Sequence, residues 1–136
     1  MDCIKDNYRV SDDPRRLDLD VFMALLATSY WAADRPRAVM EKAMAHSVCL
    51  GLYRDDRQVG FARAVTDEAT IAWLCDVIVD PAHRGRGLGK WLVSCLLEHP
   101  RLQTVSQYLR TDTAHGLYEP FGFQRVETLR RSVRPA

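Results

Sequence analysis

Three glycines, two arginines and a lysine crowd into Arg84-Gly85-Arg86-Gly87-Leu88-Gly89-Lys90, just after the apolar run Val77-Ile78-Val79 and the pair Asp80-Pro81. Glycines let neighbouring backbone N–H groups converge, and a helix start adds partial positive charge. Residues of these types in this order build an anion site, so a phosphate-bearing ligand is the first expectation. Two familiar phosphate loops do not fit. A Walker A loop needs a hydroxyl residue after its lysine, but Trp91 follows Lys90. A dinucleotide fingerprint spaces its glycines GxGxxG early in a βαβ unit, whereas Gly85, Gly87 and Gly89 are spaced GxGxG and come late.

The elements that must hold this loop follow from the hydrophobic pattern. A first strand is expected near Tyr8 to Val10, broken by Asp12-Asp13-Pro14. From Asp18, Leu19, Val21, Phe22, Leu25 and Leu26 recur at helical spacing, and Arg35-Pro36 marks a turn before a second helix from Ala38 to Ala45. Val48–Tyr53 and Val59–Val65 flank a polar turn and read as a hairpin. Ile71–Val79 is apolar on both faces except at Asp76, as in a central strand covered on both sides. Beyond the glycines, Leu88, Trp91, Leu92, Cys95 and Leu96 share one helical face, and His99-Pro100 stops that helix. Thr104 to Leu109 reads as a strand, Thr111 or Asp112 can cap a short helix through Tyr118, and Phe123 to Val133 is expected to return as a last strand. The order is β-α-α-β-β-β-α-β-α-β, an α+β (α/β mixed) fold with helices against a mixed sheet.

Arg84-Gly85-Arg86-Gly87-Leu88-Gly89 resembles the R/Q-x-x-G-x-G/A signature of the GNAT superfamily of N-acetyltransferases, and Tyr118-Glu119-Pro120-Phe121-Gly122-Phe123 resembles its Y-x-x-x-G-F. The resemblance runs over nearly the whole chain and implies a mostly antiparallel sheet with helices on both faces. It also implies acetyl-coenzyme A (acetyl-CoA) as cosubstrate, with no metal. By that likeness the amides from Gly85 to Lys90 hold the pyrophosphate, aided by Arg84, Arg86 and Lys90. Val77, Ile78 and Val79 pair with the pantetheine arm, and a backbone N–H there polarises the thioester. Tyr118 is the expected general acid for the departing thiolate. Asp76 is the candidate base, since a buried carboxylate can take up a proton; the equal alternative is a hydrogen-bonded structural carboxylate. His115 is a second-line candidate one helical turn before Tyr118, while Glu119 should face another side. Tyr30 and Trp31 are expected either to wall the acceptor pocket or to plug the core, and Asp34 to sit in solvent. Thr111 stands where many members have Asn, and Ser106-Gln107 offers no carboxylate base, so deprotonation through a water chain is the alternative.

The expected reaction is direct attack of a primary amine, on a small molecule or peptide, upon acetyl-CoA in a ternary complex. The alternative is a non-catalytic acyl-coenzyme A sensor or interaction module on the same fold. With 136 residues the chain makes one domain, 1–136, and 47% hydrophobic residues are ordinary for a globular protein. Nineteen basic and 18 acidic residues leave a formal charge of +1, which gives a nucleic-acid or membrane-surface role no support. The cluster Arg125/Arg130/Arg131/Arg134 reads as a solvated basic surface. Four spaced cysteines, a polar N-terminal stretch and no bilayer-length apolar run suit a reducing cytoplasm. The exposed sheet edges of such a fold leave room for a homodimer.

Overall fold

A computed structural model describes residues 1–133; Arg134 of the basic cluster lies outside them. Six strands form one sheet in chain order: β1 (Asp2–Lys5), β2 (Tyr8–Ser11), β3 (Ser47–Arg54), β4 (Arg57–Thr66), β5 (Ile71–Val79) and β6 (Ser106–Leu109). All neighbours run antiparallel except β5 and β6, which are parallel. The helices are α1 (Leu19–Ala27), α2 (Arg37–Ala45), α3 (Leu88–Leu97) and the single turn α4 (His115–Tyr118). No helix of the described residues is long and apolar enough to cross a membrane.

Helices cover both faces, each by an apolar stripe. On one face Leu88, Leu92, Cys95 and Leu96 of α3 pack on Val48, Leu50, Leu52, Ala62, Ala64, Ala72 and Leu74. On the other, Phe22, Leu25 and Leu26 of α1 and Met40 of α2 pack on Cys49, Phe61 and Ile78, with the Phe22 and Phe61 rings stacked 3.7 Å apart. The Asp18 carboxylate caps α1 by accepting the Val21 amide at 3.2 Å.

Two expectations are corrected. The N-terminus contributes an extra strand, β1, which pairs with β2 as a hairpin. The last strand expected at Phe123 to Val133 does not form: residues 123–133 are outside regular structure, and those from Gln124 on are exposed. Strand propensity expresses fitness for a pleated, paired surface, and this segment pairs with no strand although the outer edge of β6 is free.

β5 carries one extra residue. Between the pairs Phe61↔Ile78 and Arg63↔Cys75, β4 advances two residues while β5 advances three. Asp76 sits in that bulge with φ +55°, uncommon for a residue with a side chain. The bulge shifts the alternation. Ala72 and Leu74 face α3, and beyond it so do Val77 and Val79, which turns Asp76 and Ile78 toward α1 and α2. There the Asp76 side chain, 1% exposed, binds Arg35 at 2.9 Å and Arg63 at 2.6 Å. Asp76→Ala leaves two guanidinium groups facing each other without their anion. It is expected to cost about 3 kcal/mol or more in urea unfolding.

Candidate active site

β6 follows β5 only as far as Leu74↔Leu109. From Cys75 to Val79, β5 is paired with β4 alone, so its other edge opens as a slot of unpaired backbone groups. This edge leads into Asp80, the turn Pro81–His83 and the glycines. The Asp80 carboxylate accepts the Ala82 amide and the Asp80 amide donates to the Val59 carbonyl, both at 2.8 Å, which fixes where the loop leaves the sheet. Gly85 (φ +80°) and Gly87 (φ +74°) adopt left-handed conformations, and Gly87 is the N-cap of α3 without a side-chain cap. The first-turn amides of Leu88, Gly89 and Lys90 therefore point outward without intrahelical acceptors. A Cβ added at Gly85, Gly87 or Gly89 meets nothing within 4 Å, so the concave side of the loop is open. An open strand edge running into an array of free amides fits an extended ligand that ends in a phosphate anion.

Two of the loop's basic side chains, Arg84 and Arg86, brace it. Arg84 folds back so that its Nε donates to the Val79 carbonyl at 3.0 Å. Arg86 reaches the Tyr8 hydroxyl at 3.3 Å, which also meets His83 Nδ1 at 2.9 Å and Arg54 at 3.3 Å. Lys90 is exposed.

Tyr118 and His115 face β6. They line a cavity of about 610 Å3 along β6 and the tail, together with Tyr108, Phe121, Phe123 and Val126. Residues 77–79 and 84–90 do not line it. The Tyr118 ring meets Phe123 edge-on at 5.9 Å, and burial pushes its phenol above the ordinary tyrosine value. The Thr111 hydroxyl accepts the Ala114 amide at 2.9 Å and so orders the turn before α4.

Tyr30 and Trp31 are 71% and 45% exposed and pack edge-on to each other, so they stand outside the core; Ala32 is buried instead. They share their loop with Arg35, whose contact with Asp76 ties the loop to the β5 bulge. Both Asp76 oxygens already accept charge-assisted hydrogen bonds. That arrangement favours the structural reading of this carboxylate over the basic one. Sequence pattern assigns Arg35 only to a turn and gives Arg63 no role. Arg63 is the one charged residue inside the apolar stretch Val59–Val65, and that oddity was its available signal. Among the described residues no group of three His, Cys, Asp or Glu is arranged to hold a metal.

Comparison with known proteins adds the family. Residues 45–125 match the family model of the acetyltransferase (GNAT) domain. The chain belongs to the GNAT acetyltransferase family. A crystal structure from Xanthomonas campestris, described as belonging to the GNAT family, superposes on this GNAT fold with a TM-score of 0.87. It is 41% identical, with 93% of each chain covered. A Gibberella zeae protein named as an acetyltransferase is 34% identical over 133 residues, covering 80% of this chain and 75% of its own length. The N-alpha-acetyltransferase RimI of Mycobacterium tuberculosis is 47% identical, but over only 58 residues, 41% of this chain and 37% of its own.

The glycines separate backbone demand from space. Gly87→Ala forces a side chain into a left-handed turn and is expected to lower stability by about 1–2 kcal/mol. Gly89→Ala, helical and unobstructed, is expected to hold or raise stability by up to about 1 kcal/mol. Thermal melting of the two variants without ligand checks both.

Proposed function

We propose that this GNAT protein is an N-acetyltransferase that moves an acetyl group from acetyl-CoA to a primary amine of a small molecule or peptide by direct attack in a ternary complex. The observation that carries this reading is the unpaired edge Cys75–Val79 running straight into the left-handed glycines and the free amides of α3. Acetyl-CoA supplies the activated acetyl group. The amides from Gly85 to Lys90 hold its pyrophosphate, and Val77, Ile78 and Val79 hydrogen-bond the pantetheine arm as an added strand would. An amide of that edge donates to the thioester oxygen as charge grows there. Arg84 and Arg86 act mainly by holding the loop in shape, while Lys90 adds charge at the helix start.

Direct attack agrees with the thiols. Cys75, beside the slot, is pushed up to about 11 by burial, which keeps it protonated and a poor nucleophile for an acetyl-cysteine step. Tyr118 is the proposed proton donor to the departing thiolate. Because burial raises its phenol, the acid form persists through the ordinary tyrosine value near 10, and no alkaline loss of activity below that pH should come from it. Tyr30 and Trp31 form the exposed rim toward the acceptor. The amine loses its proton to water, since the Asp76 carboxylate is engaged by two arginines. The four cysteines are free thiols, in keeping with a cytoplasmic protein.

Acetyl-CoA at 100 times its Kd should stabilise the protein by about 2.7 kcal/mol. Free thiol should appear when a panel of amines is added; no thermal shift at saturating acetyl-CoA would sink the proposal. Gly89→Ala should weaken acetyl-CoA binding despite its unimpaired stability, because its methyl group intrudes where the pyrophosphate must approach. Tyr118→Phe should lower turnover by about 100-fold or more while leaving acetyl-CoA affinity unchanged. The engaged Asp76 carboxylate favours one second reading, an acyl-coenzyme A sensor without turnover. That reading predicts the thermal shift with no thiol release from any amine.

A further inference from the structure

The turn that leads into the glycine loop ends on His83, whose ring nitrogen Nδ1 lies 2.9 Å from the Tyr8 hydroxyl. Tyr8 is buried on β2, which lies beyond β4 and β3 from β5, so this contact ties the loop to a distant strand. The same oxygen receives Arg54 Nη1 from β3 and Arg86 Nη1 from the loop, both at 3.3 Å. Proton counting then fixes the remaining contact. Guanidinium groups only donate, so they occupy both lone pairs of the phenol, and its single proton points at His83. Nδ1 must accept it. His83 is therefore neutral, with its own proton on Nε2. An imidazolium carries a proton on both nitrogens and would set N–H against O–H. Charge opposes it too. Lys5 and Asp6 wall a small cavity with Tyr8, Arg54 and Arg86, while Asp80 is turned to the Ala82 amide and Arg84 to the Val79 carbonyl. A charged His83 would join Lys5, Arg54 and Arg86 against the single carboxylate of Asp6.

We propose that Tyr8 and His83 are positioning residues of the glycine loop, and that the brace between them holds only while His83 is uncharged. The inference rests on the proposed binding of acetyl-CoA at that loop. Protonation of His83 releases the turn Pro81–His83 from β2 and frees Arg86. Gly85 and Gly87 then lose the support that keeps the first amides of α3 convergent. Ordering the loop must then be driven by the coenzyme, so affinity falls as the medium turns acid.

Brace and binding are read separately. In the ligand-free protein at about pH 8, nitrogen NMR of the His83 ring should show Nδ1 bare and Nε2 protonated. On acidification the amide signals of Gly85, Gly87 and Gly89 should move with the same midpoint as that ring. Acetyl-CoA affinity, by titration calorimetry, should fall by about fivefold or more between about pH 8 and about pH 5. His83→Asn keeps an acceptor where Nδ1 stands and takes up no proton. Its affinity should therefore change only by what the coenzyme's own phosphates contribute. Tyr8→Phe keeps the ring and removes the hydroxyl. It should bind more weakly at the alkaline end and show the same shallow pH profile as His83→Asn. A protonated Nδ1 at the alkaline end, glycine amides indifferent to His83, or an acid loss as large in His83→Asn as in the wild type overturns the proposal. So does an affinity that rises on acidification, the result expected if His83 met the pyrophosphate directly. If acetyl-CoA binds neither the wild type nor the variants, the proposed activity falls, while the ring and amide spectra still decide the brace.

Discussion

One extra residue in β5 sets the geometry of everything around it. Without the bulge at Asp76, strict alternation would turn Asp76 toward α3 with Ala72 and Leu74 and place a carboxylate in an apolar layer. With it, the charge turns to the α1 and α2 face, where Arg35 and Arg63 meet it, while Val77 and Val79 return to the core. The left-handed backbone at Asp76 is costly for a residue with a side chain, and the two ion pairs offset that cost. The same few residues mark where β6 ceases to follow β5, so the bulge and the open slot coincide in the sheet. Arg35 extends the constraint outward, because it belongs to the loop that presents Tyr30 and Trp31.

The glycine loop is flexible by composition and is held from behind by other elements. Tyr8 on β2, Arg54 on β3 and His83 in the turn before the loop converge with Arg86 on one phenolic oxygen. Arg84 ties the loop to the end of β5 through the Val79 carbonyl. Arg84 and Arg86, which read from sequence as ligands for an anion, are thus engaged by the protein itself. Amides held in place at a helix start bind an anion without further ordering cost, which suits a site whose affinity depends on pre-organisation.

Much of the fold was legible because local pattern and tertiary demand agree. The helical stripe Leu88, Leu92, Cys95 and Leu96 faces the sheet as its spacing requires, and the apolar run Ile71–Val79 is a strand, β5, although Ile71 is exposed and Trp73, Cys75 and Val77 are only partly buried. The tail from Phe123 was misread for a physical reason. Its residues suit a strand, but a strand exists only beside another, and which edges remain free is decided by the whole sheet. Asp76 shows the same limit. Its identity marked it as unusual, yet the partners that define its role lie 41 and 13 residues away in sequence.

The sequence by itself determined the loop chemistry and the family. Glycines tolerate left-handed turns that other residues resist, and the motif records that backbone requirement residue by residue. Only the tertiary structure decided which side chains meet: that Asp76 is claimed by two arginines, that Arg86 turns to Tyr8, and that Tyr118 lines a cavity along β6. Those outcomes depend on strand register and on one inserted residue. A shift of one position reverses every side chain beyond it, and no local pattern encodes that.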